Sequence, residues 1–232
     1  MKRMLVVLAL AVACWVGPAA ADYVIWNQPY DQTEAEYWRS VHDTGPIVSN
    51  DFQAAVPGNI VAVRWWGTHD INDGPTLATY QFELKFHDNS PLNSGQPLPG
   101  VDGFATRIVS ATRTFAQSFG PTNIWEYYAT FAPVGQTPGT IYWLDIAYDK
   151  ALPSQAGYEW YWQGAEHPYQ LATFVQGLVY TPPASPHKGP WYHITDHDDT
   201  SMVLYAVPTP AALPLLGSGL LGLLALGWRR RN

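Results

Sequence analysis

Hydrophobic and polar positions alternate with a period of two along much of the chain. Between residues 80 and 87, Tyr80, Phe82, Leu84 and Phe86 take one set of positions and Gln81, Glu83, Lys85 and His87 the other. That alternation predicts a strand with one buried and one wet face. Residues 60–67 alternate as well, with Val61, Val63 and Trp65 on one side and Ile60, Ala62, Arg64 and Trp66 on the other. Trp65 and Trp66 are therefore expected on opposite faces of a strand. Further strands are predicted over 23–26, 124–131, 141–148, 158–163, 171–179 and 202–207. One helical spacing, Glu34, Tyr37, Trp38 and Val41, predicts a turn or two of helix over 34–41. Breaks fall at Pro57-Gly58-Asn59, Asn72-Asp73-Gly74-Pro75, Asn93-Ser94-Gly95, Pro99-Gly100, Pro138-Gly139 and Gly189-Pro190.

Eight or so short strands between residues 22 and 206, with no linker and no internal repeat, predict one all-β domain, an antiparallel β-sandwich of jelly-roll-like order. The 20 prolines and 19 glycines of the 232 residues agree with that reading. The stretch 22–206 holds seven cations against nineteen acids, a net charge of −12. Such a body is a poor partner for nucleic acid, whose affinity rests on Lys and Arg. The 11 Trp and 14 Tyr supply ample apolar surface, which excludes disorder. The single cysteine, Cys14, falls in the leader described next, so thiol and disulfide chemistry are not expected in the mature chain.

Residues 1–21 read as a secretory signal for signal peptidase: Lys2 and Arg3, an apolar helical run from Met4 to Val16, then Pro18 and Ala19-Ala20-Ala21 before a cut ahead of Asp22. At the other end, Val207-Pro208-Thr209-Pro210-Ala211 precedes the apolar run 212–228 and then Arg229-Arg230-Arg231. The run is long enough for a helix of roughly 25 Å, a short membrane span. The arginines would hold its end on the cytoplasmic side. This order of proline motif, span and basic stop over 207–232 resembles the PEP-CTERM sorting signal. It fits the variant that begins Val-Pro-x-Pro-Ala and continues Ala-Leu-Pro-Leu, as Ala212-Leu213-Pro214-Leu215 does here. Thr209 stands where the commonest form carries Glu. The resemblance implies an exosortase-type membrane protease or transpeptidase as partner, with export, transient anchoring, and release or re-attachment at the cell surface.

The body resembles an uncharacterised class of bacterial secreted β-sandwich domains. The resemblance rests on Asp51-Phe52, on Ile60 to Gly67 with its Trp-Trp-Gly, on Phe82 to Asp88, on Ile141 to Ile146, and on a late Trp, Asp-Asp, Met-x-Leu-Tyr stretch. It implies a fold and no activity. The favoured function is an exported surface or extracellular-matrix protein without catalysis. Two alternatives stay open. The first is glycan binding, with Trp66, Tyr158, Trp160 and Trp162 as stacking aromatics for an extracellular polysaccharide. The second is a glycan-active hydrolase, which would need two of Glu126, Asp145 and Glu159 to meet. No cofactor is expected. Asp196, Asp198 and Asp199 are a weak oxygen cluster for Ca²⁺, and Asp70 to Gly74 a weaker one.

Overall fold

A computed structural model describes residues 22–33, 37–41, 47–70, 74–90, 99–100, 103–165, 178–180, 192–193 and 200–208. Residues 1–21, read above as a leader, the apolar run 212–228 with Arg229, Arg230 and Arg231, and Asp196, Asp198 and Asp199 lie outside the described residues. So do Thr209, Pro210 and Ala211 of the proline motif.

The described chain is all-β. Its strands are β1 (Tyr23–Gln28), β2 (Tyr37–Arg39), β3 (Ile47–Gln53), β4 (Gly58–His69), β5 (Tyr80–Asp88), β6 (Ala105–Phe119), β7 (Thr122–Gln136), β8 (Ile141–Tyr148), β9 (Trp160–Gln163), β10 (Leu178–Tyr180), β11 (Tyr192–His193) and β12 (Met202–Val207). They join edge to edge in the order β1-β12-β4-β7-β6-β5-β8-β3-β10-β11. β9 adds to the end of β4, and β2 to β9. All of these pairings are antiparallel.

β6 is the strand that lets this ladder close over itself. Its first half, Ala105 to Ala111, pairs with β5, and its second half, Thr112 to Phe119, pairs with β7. β4 and β5 are not neighbours in the ladder, yet the Trp65 and Phe82 rings meet edge to face at 5.0 Å. Phe82 also meets Tyr127 of β7 at 5.2 Å and Trp160 of β9 at 5.1 Å. His69 of β4 meets Tyr148 of β8 at 5.1 Å. The alternation at residues 80–87 supplies one wall of this aromatic core: Tyr80, Phe82, Leu84 and Phe86 are fully buried. Edge-to-face rings add about 0.5–1.5 kcal/mol per pair beyond burial alone.

The alternation over 60–67 slips by one residue, and the ladder shows why. Ile60 pairs with Val134 and Ala62 with Thr130, so Val61 faces three residues, Phe131, Ala132 and Pro133. Against β12 the register also skips Val61. Proline has no N–H to give a ladder, so it sits where pairing is already broken. The carbonyls of Ala132 and Pro133, freed by the bulge, accept from Arg107 Nε at 3.1 Å and Arg107 Nη2 at 3.2 Å. Ile60 therefore shares the core with Val63 and Trp65, not with Trp66 as strict alternation predicts. Trp66 turns to the opposite face, 6 % exposed, and packs with Ile124 and Val203 in a second cluster.

Three predicted features change. Residues 37–39 are a strand, not helix, because Tyr37, Trp38 and Arg39 pair with Gln163, Trp162 and Tyr161. β3 and β6 were not expected. β3 is buried on both faces, including Ser49, Asn50 and Asp51, so it carries no alternation. β6 buries only Val109 and Ala111 and leaves Ile108 and Phe115 exposed, so its pattern is faint.

Candidate functional site

The end of β4 and the short strands β9 and β2 build the one cleft in which the described residues gather candidate chemistry. β9 lies on β4 with Gly67 opposite Trp162, Thr68 opposite Tyr161 and His69 opposite Trp160. Directly opposed residues share a face. One face of this patch thus carries Thr68, Tyr161, Arg39 and Tyr37, and the other carries His69, Trp160, Trp162 and Trp38. The tryptophan face is the inner one: Trp160 and Trp162 are fully buried, and Trp162 Nε1 donates to Ser201 O at 2.9 Å. Trp160 lies so close over Gly67 that a Cβ there would meet its ring and the Tyr161 carbonyl.

The stacking aromatics named from the sequence therefore do not form a surface. Trp160 and Trp162 sit in the core, Trp66 in the second cluster against Tyr30 at 5.3 Å, and Tyr158 is half-buried against the core. A ring without a free face cannot stack on a sugar. Once Trp160 and Trp162 turn inward, the period of two sends Tyr161 outward. Tyr161 meets Tyr37 edge to face, with centroids 5.4 Å apart and planes at 75°. Tyr37 was hidden by the helical reading of 34–41.

The cleft beside these two rings has a volume of about 210 Å³ and is lined by Tyr37, Thr68, His69, Asp70, Thr122 and Tyr161. Glu159 fixes its geometry. The Glu159 backbone N–H donates to Asp70 Oδ1 at 3.1 Å, and its carbonyl accepts from His69 Nδ1 at 3.0 Å. Its carboxylate accepts from Arg39 Nε at 2.7 Å and Lys150 Nζ at 2.6 Å. Burial pushes the Glu159 pKa up, but the hydrogen bonds and charges of Arg39 and Lys150 outweigh it and hold the group below its ordinary value.

Behind the cleft, the Tyr127 hydroxyl lies 3.1 Å from His69 Nε2. A carbonyl only accepts, so His69 carries its proton on Nδ1 and takes the Tyr127 O–H at Nε2. Burial holds the Tyr127 phenol far above its usual value, so it stays a donor. Arg113 lies over the Tyr80 and Trp125 rings at 4.5 and 4.0 Å. The Tyr161 phenol is raised by burial first and then by the Asp70 charge.

The three carboxylates considered for hydrolysis each engage a different base. Glu126 lies 3.5 Å from Arg64, Glu159 binds Arg39 and Lys150, and Asp145 lies 2.8 Å from His87. Asp145 and His87 are fully buried on β8 and β5. That contradicts the wet position expected for His87. Among the described residues no group of three or more His, Cys, Asp or Glu side chains is placed to hold a metal ion.

Residues 24–196 match a family described as a domain of unknown function, DUF7901. The chain belongs to that family. No curated protein matches it. The DUF7901 match covers β1 to β11 and stops short of β12, the strand that links the body to the proline motif.

Proposed function

We propose that this DUF7901 protein is exported, held in the inner membrane by the apolar run 212–228, and cut near Val207-Pro208-Thr209-Pro210-Ala211 by an exosortase-type enzyme. The mature body then serves at the cell surface or in the extracellular matrix as a β-sandwich of jelly-roll-like order, with no catalysis of its own. The observation that carries the reading is the C-terminal order of proline motif, apolar run and Arg229-Arg230-Arg231. The contacts of Phe82 with Trp65, Tyr127 and Trp160 support two packed layers.

The way the tail leaves the body fits the same role. β12 ends at Val207 and is paired on both sides, to β1 and to β4. A tail anchored in lipid would pull on an interior strand, which cannot peel away as an edge strand can. Pro208, the first residue beyond β12, is exposed. It has no N–H for further pairing, which favours a motif open to a protease.

Fractionating the native host and sequencing both ends of the mature protein tests this. The expected protein begins at Asp22, ends within 207–211 and is found outside the inner membrane. An intact tail on surface protein overturns the reading. So does unchanged processing after Pro208 and Pro210 are both replaced by alanine.

A further inference from the structure

We propose that the cleft beside Tyr37 and Tyr161 binds a neutral glycan, with one sugar ring seated in the corner made by the two phenol rings. This goes beyond the envelope role above and does not depend on it. The corner follows from the strand phase. Burial of Trp160 and Trp162 obliges Tyr161 to face out, and β2 pairing on β9 sets Tyr37 beside it. Tyr37 is 41 % exposed, one of three exposed aromatic side chains among the described residues. Planes at 75° give a floor and a wall instead of a flat plate. Sugar rings present C–H faces to π systems and hydroxyls around their rims, and this corner offers partners for both.

The polar groups beside the rings are those a hydroxylated ring uses. Thr122 brings a hydroxyl to the lining and Asp70 an exposed carboxylate, while the buried Thr68 hydroxyl donates to the His69 carbonyl at 3.3 Å. One Asp70 oxygen already accepts from the Glu159 N–H, and a carboxylate has capacity for several more donors. The volume of about 210 Å³ lies below the roughly 300–1,000 Å³ of pockets that swallow a drug-sized molecule. It suits one ring of a longer chain whose other rings stay in solvent.

Charge selects within the glycans. Arg39 and Lys150, described beside the cleft, are both taken by Glu159. Among the described residues of the lining, Asp70 is the charged one. A uronate or sulfated polymer would meet that carboxylate with no described lining cation to offset it, whereas a neutral hexose polymer meets acceptors and donors.

The test is native affinity electrophoresis of the full chain, kept soluble in a detergent without a sugar headgroup. The gels carry dextran, laminarin or hydroxyethylcellulose, with alginate as the acidic counterpart. At least one neutral polymer should retard the protein and alginate should not. Tyr161→Ala and Tyr37→Ala should each weaken retardation about tenfold, the size of one lost ring contact. Tyr161→Phe should keep it, and Trp66→Phe should leave it unchanged. Thermal midpoints establish that each variant is folded. Should Tyr161→Ala not fold, the exposed Asp70→Asn decides, and is expected to weaken retardation. Indifference to all three neutral polymers overturns the proposal. So does stronger retardation by alginate, or retardation that survives the loss of both tyrosine rings and of the Asp70 charge.

Discussion

Tyr23 lies directly opposite Ala206, on the first and the last described strand in chain order. The two ends of the body therefore leave it side by side at one pole. The Tyr23 hydroxyl donates to the Pro57 carbonyl. Beneath it, Gly58 opens β4 with no room for a side chain: a Cβ would meet the Tyr23 hydroxyl, the Ala206 methyl and the Val207 carbonyl. Overpacking of this kind costs about 1–3 kcal/mol, so Gly58→Ala should lower the thermal midpoint. Tyr23→Phe removes the nearest of the three atoms. The double variant should lose less than the two single losses added together, and strict additivity would show that the pole is looser than described.

A second close approach holds the cleft. Trp160 lies over Gly67, and a Cβ there would meet the indole ring and the Tyr161 carbonyl. Gly67→Ala should destabilise the protein by about 1–3 kcal/mol. Gly67→Ala combined with Trp160→Leu should be more stable than the sum of the single effects predicts, because the smaller side chain yields space. Urea midpoints of the four proteins measure the coupling. A coupling within experimental error of zero would mean that the ring and the glycine do not constrain each other.

The parts of the fold that were legible in the sequence are those where one face is buried and the other wet. β5 is the plainest, since Gln81, Glu83 and Lys85 stay partly exposed between fully buried Tyr80, Phe82, Leu84 and Phe86. Legibility fails where burial is two-sided or the phase slips. β3 buries Ser49, Asn50 and Asp51, and the hydrogen bonds of Asn50 are set by distant segments, Nδ2 donating to Thr200 O at 2.7 Å and to Gln28 Oε1 at 3.1 Å. No local pattern encodes such a partner. At Val61 the bulge shifts the phase, and the extra residues opposite it, Phe131 to Pro133, lie on another strand. The cleft was missed for the same reason. Its aromatic corner needs β2 on β9, a pairing of residues more than a hundred apart, and Tyr37 alone reads equally well as helix. The sign that Tyr161 faces outward was present in its alternation with Trp160 and Trp162. It became decisive only once those two were seen to be buried.

The bulge also makes a prediction about Arg107. Its guanidinium spans the two carbonyls that β4 does not pair, those of Ala132 and Pro133. Arg107→Met keeps much of the apolar stem and removes the donors. The site is partly exposed, so water can replace part of what is lost, and a cost of about 1 kcal/mol is expected. Hydrogen exchange at the β4–β7 ladder should quicken nearest residues 131–134. Unchanged exchange there would assign Arg107 no part in holding the bulge.

Glu159 ties stability to acid. Its folded pKa lies below its ordinary value of 4.5, because Arg39 and Lys150 prefer the charged form. A depressed folded pKa adds stability that is complete above the unfolded value and is lost as pH falls through the folded one. The thermal midpoint should therefore fall as pH drops below 4.5 and on through the lower folded value, and this fall should be shallower in Glu159→Gln. Arg39 and Glu159 side chains are 34 % and 21 % exposed, so the pair is screened and the difference should stay at about 1 kcal/mol or less. The same substitution loosens the cleft, since Glu159 positions His69 and Asp70 only while its own segment is held. A pH profile identical in the two proteins would remove Glu159 as the clamp.

His87 and Asp145 are the most deeply placed ionisable pair described. His87 Nδ1 lies 2.8 Å from the Gly100 carbonyl, which can only accept, so that nitrogen carries a proton. The contact of Nε2 with Asp145 Oδ2 at 2.8 Å then needs a second proton, held by the imidazole or by the carboxyl. Either way the pair is neutral as a whole, which is what a fully buried site tolerates. Asp145→Asn can still offer an amide N–H to Nε2 of a neutral imidazole, so it should cost about 1 kcal/mol. Asp145→Ala leaves the imidazole without that partner and should cost about 3–5 kcal/mol, as breaking a buried pair does. Urea denaturation of the two variants separates the cases. Equal losses would mean that an amide of the same size replaces neither the carboxylate nor its hydrogen bond, so that the charge complementarity of the pair, and not the filled space, stabilises the junction of β5 and β8.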